Sequence, residues 1–149
     1  MCAAEAPAEG TESVIAGSRA LLGVIARSLA PIVEQVPLPD YRLLVLLCSR
    51  GLLSRVEIVP LLDVTGLGLD EMLRRLAAGH LIDYQDGGVA ATSKGRALVD
   101  EVTERRRAEV ARLLGGMSMA ERRTVTEGLA LIAAAAGEPR PEELLILGL

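Results

Sequence analysis

The stretch LRRLAAGHLIDYQDGGVAATSKG, Leu73 to Gly95, changes its hydrophobic period from that of a helix to that of strands. LIDY and VAAT read as two short strands around Asp86-Gly87-Gly88, a strong hairpin turn signal. Thr92 or Ser93 then caps a long helix. Everything else with a clear period is helical. The chain is therefore expected to be mainly α with one small β-hairpin.

Residues 1–11 are mostly Ala, Glu, Pro and Gly, the composition of a disordered tail. From Glu12, the positions Val14, Ser18, Leu21, Ile25 and Leu29 fall on one helical stripe, and Pro31 marks the expected end. In VPLPDYRLLVLLCSRG, Pro39 suits a first helical turn, Asp40 complements the helix dipole and Gly51 suits the position past the end. A very short or kinked helix is expected from about Arg55 to Leu62, with Pro60 inside it. VTGLG reads as a turn. The next helix, about Leu67 to Ala78, buries Leu69, Met72, Leu73 and Leu76. Its opposite face carries Leu67, Glu71, Arg74 and Ala78, with Arg75 at the edge. Gly79 and His80 end it, and His80 is expected to cap or pack. After the hairpin, a helix runs from Lys94 to about Leu114. SMAE, Ser118 to Glu121, matches a capping box, and a last helix follows to about Ala136.

The order α-α-α-α-β-β-α-α places three short helices before a hairpin, which makes a winged helix-turn-helix over residues 39–92. The flanking helices, 12–30 and 93–136, have no core of their own. The simplest partner for them is a second copy in a two-fold dimer. Residues 137–149 form a tail with an apolar end.

Composition narrows the function. The chain has two Tyr and neither Phe nor Trp. A core of Leu, Val, Ile and Ala suits close helix packing and argues against stacking bases on rings. A net charge of −4 argues against a whole-chain nucleic-acid footprint but leaves room for a local basic face. Two cysteines make no disulfide framework. Cys48, in an apolar run, reads as a packed thiol, with a redox sensor as the sharper alternative. Neither His nor Cys clusters, so no metal and no cofactor is expected. His80 is the only histidine, and no nucleotide fingerprint is present, so no enzyme is expected. The acidic start MCAAEAPAEGTE lacks the pattern of a signal peptide, and the runs LLVLLC and LALIAAAA are too short to span a bilayer. A cytoplasmic protein with no membrane contact is expected.

Three pieces resemble the MarR family of bacterial transcription regulators, over about Glu12 to Ala136. LPDYRLLVLLCSRG resembles the family's second helix. LRRLAAGHLIDY resembles its leucine-acid-x-x-glycine-leucine-isoleucine-x-arginine segment. VAATSKGRALV resembles the LTxxGxxL start of the long dimer helix, with Thr92, Gly95 and Leu98 matching. The resemblance implies one MarR-like unit over 12–149, a homodimer, a recognition helix in the major groove and a wing reaching a minor groove. It also implies a small, often phenolic, effector in the crevice between the dimer helices and the winged helix. The sequence departs from the family on one surface. The wing loop YQDGG lacks the usual Arg, Tyr84 stands where an Arg follows GLI-x, His80 replaces a Gly, and Glu71 replaces a basic residue.

The expected function is a dimeric regulator, a repressor, that binds double-stranded DNA near its own gene and responds to a ligand. The expected DNA contacts are Arg74 and Arg75 on a phosphate or guanine edge, Glu71 beside them, Arg55 and Thr65 flanking the helix-turn-helix, and Lys94 and Arg96 near the wing. Tyr41, Arg19, Leu21 and Ile25 are the candidate ligand contacts. Arg105, Arg106 and Arg107, among Glu101, Glu104 and Glu109, read as a solvated, salt-bridged face. The alternative function is a winged-helix dimer that has lost autonomous DNA binding and serves as a small-molecule-binding or protein-interaction module.

Overall fold

The computed structural model describes residues 9–137. Most of the expected N-terminal tail, Cys2, and all but Gly137 of the C-terminal tail lie outside them. The elements are α1 (Thr11–Val33), α2 (Leu38–Arg50), α3 (Arg55–Leu62), α4 (Gly66–Ala78), β1 (Ile82–Gln85), β2 (Gly88–Ala91), α5 (Ser93–Gly115) and α6 (Met119–Ala136). The fold is mainly α with one antiparallel hairpin, a winged helix-turn-helix between long helices.

The main core joins α2, α3, α4 and the hairpin. Leu43, Leu44 and Leu47 of α2 meet Ile58 of α3, Leu69 and Leu73 of α4, and Val89 of β2. A second cluster holds Leu29 and Ile32 of α1, Tyr41 of α2 and Val102 of α5. It fixes the long helices against the winged helix. An ion pair from Arg27 Nε to Glu109 Oε2 at 3.1 Å adds a tie between α1 and α5. By contrast, α6 buries none of its side chains.

Local chemistry explains the element ends. Ser54 and Glu57 form a capping box at α3, as do Ser118 and Glu121 at α6. Thr65 caps α4 and Thr92 caps α5, each hydroxyl accepting from the amide three residues on. In the hairpin, Gln85 faces Gly88 across a two-residue turn in which only Gly87 has positive φ, 91°.

Three local expectations are corrected. Pro31 does not end α1, which runs to Val33. The proline removes one helical bond, but Ile32 is 2% exposed, and its burial against Tyr41 and Val102 holds the last turn. VTGLG is not a turn throughout: Thr65 closes it, and Gly66 and Gly68 already belong to α4. The hairpin also gains a short third partner. Leu53 and Val89 exchange backbone bonds of 3.0 and 2.8 Å, a bridge too short to leave a period in the sequence.

The apolar character of α1 is spread over the whole helix rather than gathered into one run. By length and composition alone it could cross a membrane. Its packing on α5 accounts for part of that character. Val14, Ile15, Leu21 and Leu22 remain exposed.

Candidate nucleic-acid interface

The outward face of α4 is set by helical spacing. Leu69, Met72, Leu73 and Leu76 are buried, so Leu67, Glu71, Arg74 and Ala78 form the stripe farthest from the core. Asp70 and Arg75 flank it, one on each edge.

Both edge residues are held by other elements. Arg75 Nε donates to Asp40 Oδ2 and Nη2 to Asp40 Oδ1, each at 2.7 Å. Asp40 is 1% exposed, so the pair joins α4 to a carboxylate inside α2. The bond to Asp40 raises the pKa of Arg75 above its ordinary value. Its remaining arm reaches Glu71 Oε2 at 3.4 Å. On the other edge, Asp70 pairs with Arg55 of α3. That hydrogen bond holds the Asp70 carboxyl below the usual carboxylate range.

Lys94 Nζ donates to the Gly79 carbonyl at 2.8 Å, at the negative end of the α4 dipole. Arg96 is exposed near the start of α5. Thus Arg55, Thr65, Glu71, Arg74 and Arg75 share the helix-turn-helix surface, and Lys94 lies at its far end. Arg55, Arg75 and Lys94 each have an intramolecular partner. Among the described residues, Arg74 is the cation of α4 with no ion pair. The exposed side chains of the hairpin, Asp83, Tyr84, Gln85 and Asp86, include no cation, and Tyr84 is 64% exposed.

His80 has a backbone role. Its φ is 58°, the left-handed conformation that follows many helix ends. Its amide bonds to Ala77, the Leu81 amide to Leu76, and its carbonyl accepts from Thr92 Oγ1 at 2.8 Å. The expected capping role is therefore a backbone one at a position that favours glycine.

The four candidate ligand residues do not share one cavity. Ile25 lines an apolar cavity of about 370 Å³ with Leu22, Leu29, Val33 and Leu38. Leu21 lines another of about 490 Å³, with Val14, Leu113, Leu129 and Ile132. Arg19 is exposed and lines neither. Tyr41 lies in the second core cluster, and burial pushes its hydroxyl pKa up to about 12. Beside it is Arg106, whose pKa is lowered by burial and whose Nε is buried with no hydrogen-bond partner. The solvated reading of the arginine run holds for Arg105 and Arg107, which pair with Glu101 and Glu104. It fails for Arg106, which sits one turn beyond buried Val102. That spacing was the available signal. Burial also raises the Cys48 pKa, which favours the inert thiol.

No family model and no curated protein matches the chain. Solved structures do. RV1404 from Mycobacterium tuberculosis is 32% identical over 93% of this chain and 100% of its own, with a TM-score of 0.72. The MarR family protein RV2887 from the same organism is 23% identical, covers 87% of this chain and 97% of its own, and gives 0.60. The chain has the MarR-type winged-helix fold. The fold also recurs in the Thermotoga maritima transcriptional regulator Tm0710, at 16% identity over 84% of this chain and 93% of that one, with a TM-score of 0.70. RV2887 has in addition been solved in complex with DNA, at a TM-score of 0.56 to this chain. In MarR terms, α4 is the second helix of the helix-turn-helix and β1–β2 is the wing.

Proposed function

We propose that this protein is a MarR-family regulator, cytoplasmic and homodimeric, that binds a palindromic operator near its own gene and performs no catalysis. The observation that carries this reading is Arg74, an exposed, unpaired guanidinium on the outward stripe of α4. A planar fork of donors suits guanine O6 and N7. The DNA complex of RV2887 supports the general mode. The wing adds no cation, so phosphate contact falls mainly to the helix-turn-helix and to Arg96. Arg55, Arg75 and Lys94 must leave or share their partners to reach phosphate.

Dimerisation follows from what a single copy leaves open. Leu129, Leu131 and Ile132 of α6 and Val14, Leu21 and Leu22 of α1 are exposed, a surface that a second copy would cover. Two α4 helices then lie about one DNA turn, roughly 34 Å, apart. The effector reading centres on Tyr41 and Arg106. The unsatisfied guanidinium nitrogen suits a small anionic or phenolic molecule. Such a molecule would have to enter from the α1–α5 side, where Ile25 also lies.

A second reading is favoured by the same ion pairs. With Arg55 and Arg75 engaged and the wing acidic, the dimer would serve as a ligand-binding or protein-interaction module without autonomous DNA binding. Fluorescence anisotropy on the intergenic DNA beside the gene, across a salt series, separates the two. Tight, competitor-resistant binding with a steep salt slope supports the regulator. Weak binding, equal on random DNA, supports the module. Light scattering at micromolar concentration tests the dimer, and a mass near one chain refutes it.

A further inference from the structure

The outward stripe of α4 has an order as well as a position. From its N-terminal end it runs Leu67, Glu71, Arg74, Ala78. Leu67 is 81% exposed and is the second helical residue after the Thr65 cap. A leucine held in water at that level adds nothing to the core, and a single exposed leucine on a surface is ordinary. Leu67 differs by its register. It lies in line with Glu71 and Arg74, four and seven residues on. The acid nearest it on the edge, Asp70, is paired by Arg55. The Asp70 carboxylate is thereby paired off at the edge, which leaves Glu71, one turn on, as the carboxylate in line with Leu67.

A helix that enters the major groove meets base edges with its N-terminal residues. On those edges the thymine 5-methyl is the apolar group. The cytosine amine donates, and guanine presents two acceptors. The stripe offers a matching series: an apolar tip, a carboxylate acceptor, a guanidinium donor.

We propose that Leu67 is a specificity-determining residue that selects thymine by packing on its 5-methyl group, next to a cytosine accepted by Glu71 and a guanine read by Arg74. This rests on the reading of α4 as the recognition helix. It gives Glu71, which stands where the family has a basic residue, a base to contact. It also gives the Arg55–Asp70 pair a positioning role, since Asp70 released toward the groove would face phosphate.

The test separates this inference from that reading. Duplexes bound by the full-length protein are selected from a random library, and each thymine of the half-site is then replaced by deoxyuridine, which removes only the methyl. Burying one methyl predicts a loss of about fourfold in affinity per half-site at one thymine position. Leu67→Ala binds the thymine duplex more weakly and no longer distinguishes thymine from uracil there. Because Leu67 is exposed, that variant keeps its fold, checked by its melting temperature. If tight duplexes emerge and uracil leaves affinity unchanged at every position, the thymine assignment is overturned while DNA binding stands. If the discrimination persists in Leu67→Ala, another residue reads the methyl and the assignment to Leu67 falls. If no duplex is enriched, the DNA-binding reading falls and the inference falls with it.

Discussion

Arg75 of α4 grips the buried carboxylate of Asp40 of α2 through two 2.7 Å bonds. The pair makes the angle between these helices depend on a charge contact inside the domain. Removing Arg75 leaves a carboxylate that is 1% exposed without its counterion. Loss of one partner of a fully buried pair costs about 3–5 kcal/mol. The Arg75 side chain is 40% exposed, so solvent screens the pair, and Arg75→Ala should destabilise by less than that. Denaturant unfolding at fixed protein concentration measures it. The double variant Asp40→Ala, Arg75→Ala should lose less than the sum of the single changes.

Arg74 should behave in the opposite way. It has no ion pair to lose, so Arg74→Ala should leave stability within about 0.5 kcal/mol. A bidentate guanine contact is worth about 1–3 kcal/mol, so operator affinity should fall about tenfold or more. A stable variant with unchanged affinity in anisotropy would remove Arg74 from the interface.

His80 sits at φ 58°, where a side chain is strained and glycine is not. His80→Gly should raise stability by about 0.5–1 kcal/mol, seen as a higher melting temperature. A fall would mean that the imidazole makes a contact that offsets the backbone strain.

Gly95 lies in the first turn of α5, against the backbone of Leu81 just before β1. A Cβ there would stand 2.2 Å from the Leu81 carbonyl oxygen and 2.9 Å from Leu44 Cδ1. The first neighbour is backbone and cannot rotate away. Gly95→Ala should therefore destabilise toward the upper end of the about 1–3 kcal/mol typical of overpacking. Gly115→Ala, where a Cβ meets nothing within 4 Å, is the control.

The capping glutamates make stability depend on acid. Glu57 accepts from the Ser54 hydroxyl and amide, and Glu121 from Ser118. Those bonds hold both carboxyls below their ordinary values. A depressed folded-state pKa stabilises above the unfolded value, roughly 4.3, and the contribution disappears as pH falls through the folded value. Melting temperature should therefore drop on acidification below that range. The double variant Glu57→Gln, Glu121→Gln should show a shallower drop.

Helix and hairpin positions were legible because they rest on local rules: period, caps and turn residues. Asp86-Gly87 announced the hairpin and Ser118–Glu121 announced α6. The face of α4 was legible too, because four apolar residues at helical spacing admit one buried side. The resemblance in VAATSKGRALV pointed to Gly95, and the reason for that glycine appears only in space, against the carbonyl of Leu81.

The sequence by itself determined a helical chain with one hairpin and an outward row of Leu67, Glu71, Arg74 and Ala78. Only the tertiary structure decided which charges on that helix are free. Arg74 and Arg75 are neighbours in sequence and look equivalent. One points outward alone, and the other meets Asp40, 35 residues away. Arg105, Arg106 and Arg107 part in the same way, two paired in water and one half-buried beside Tyr41. Local spacing sets the face on which a side chain emerges. What it meets there depends on which distant element packs against that face.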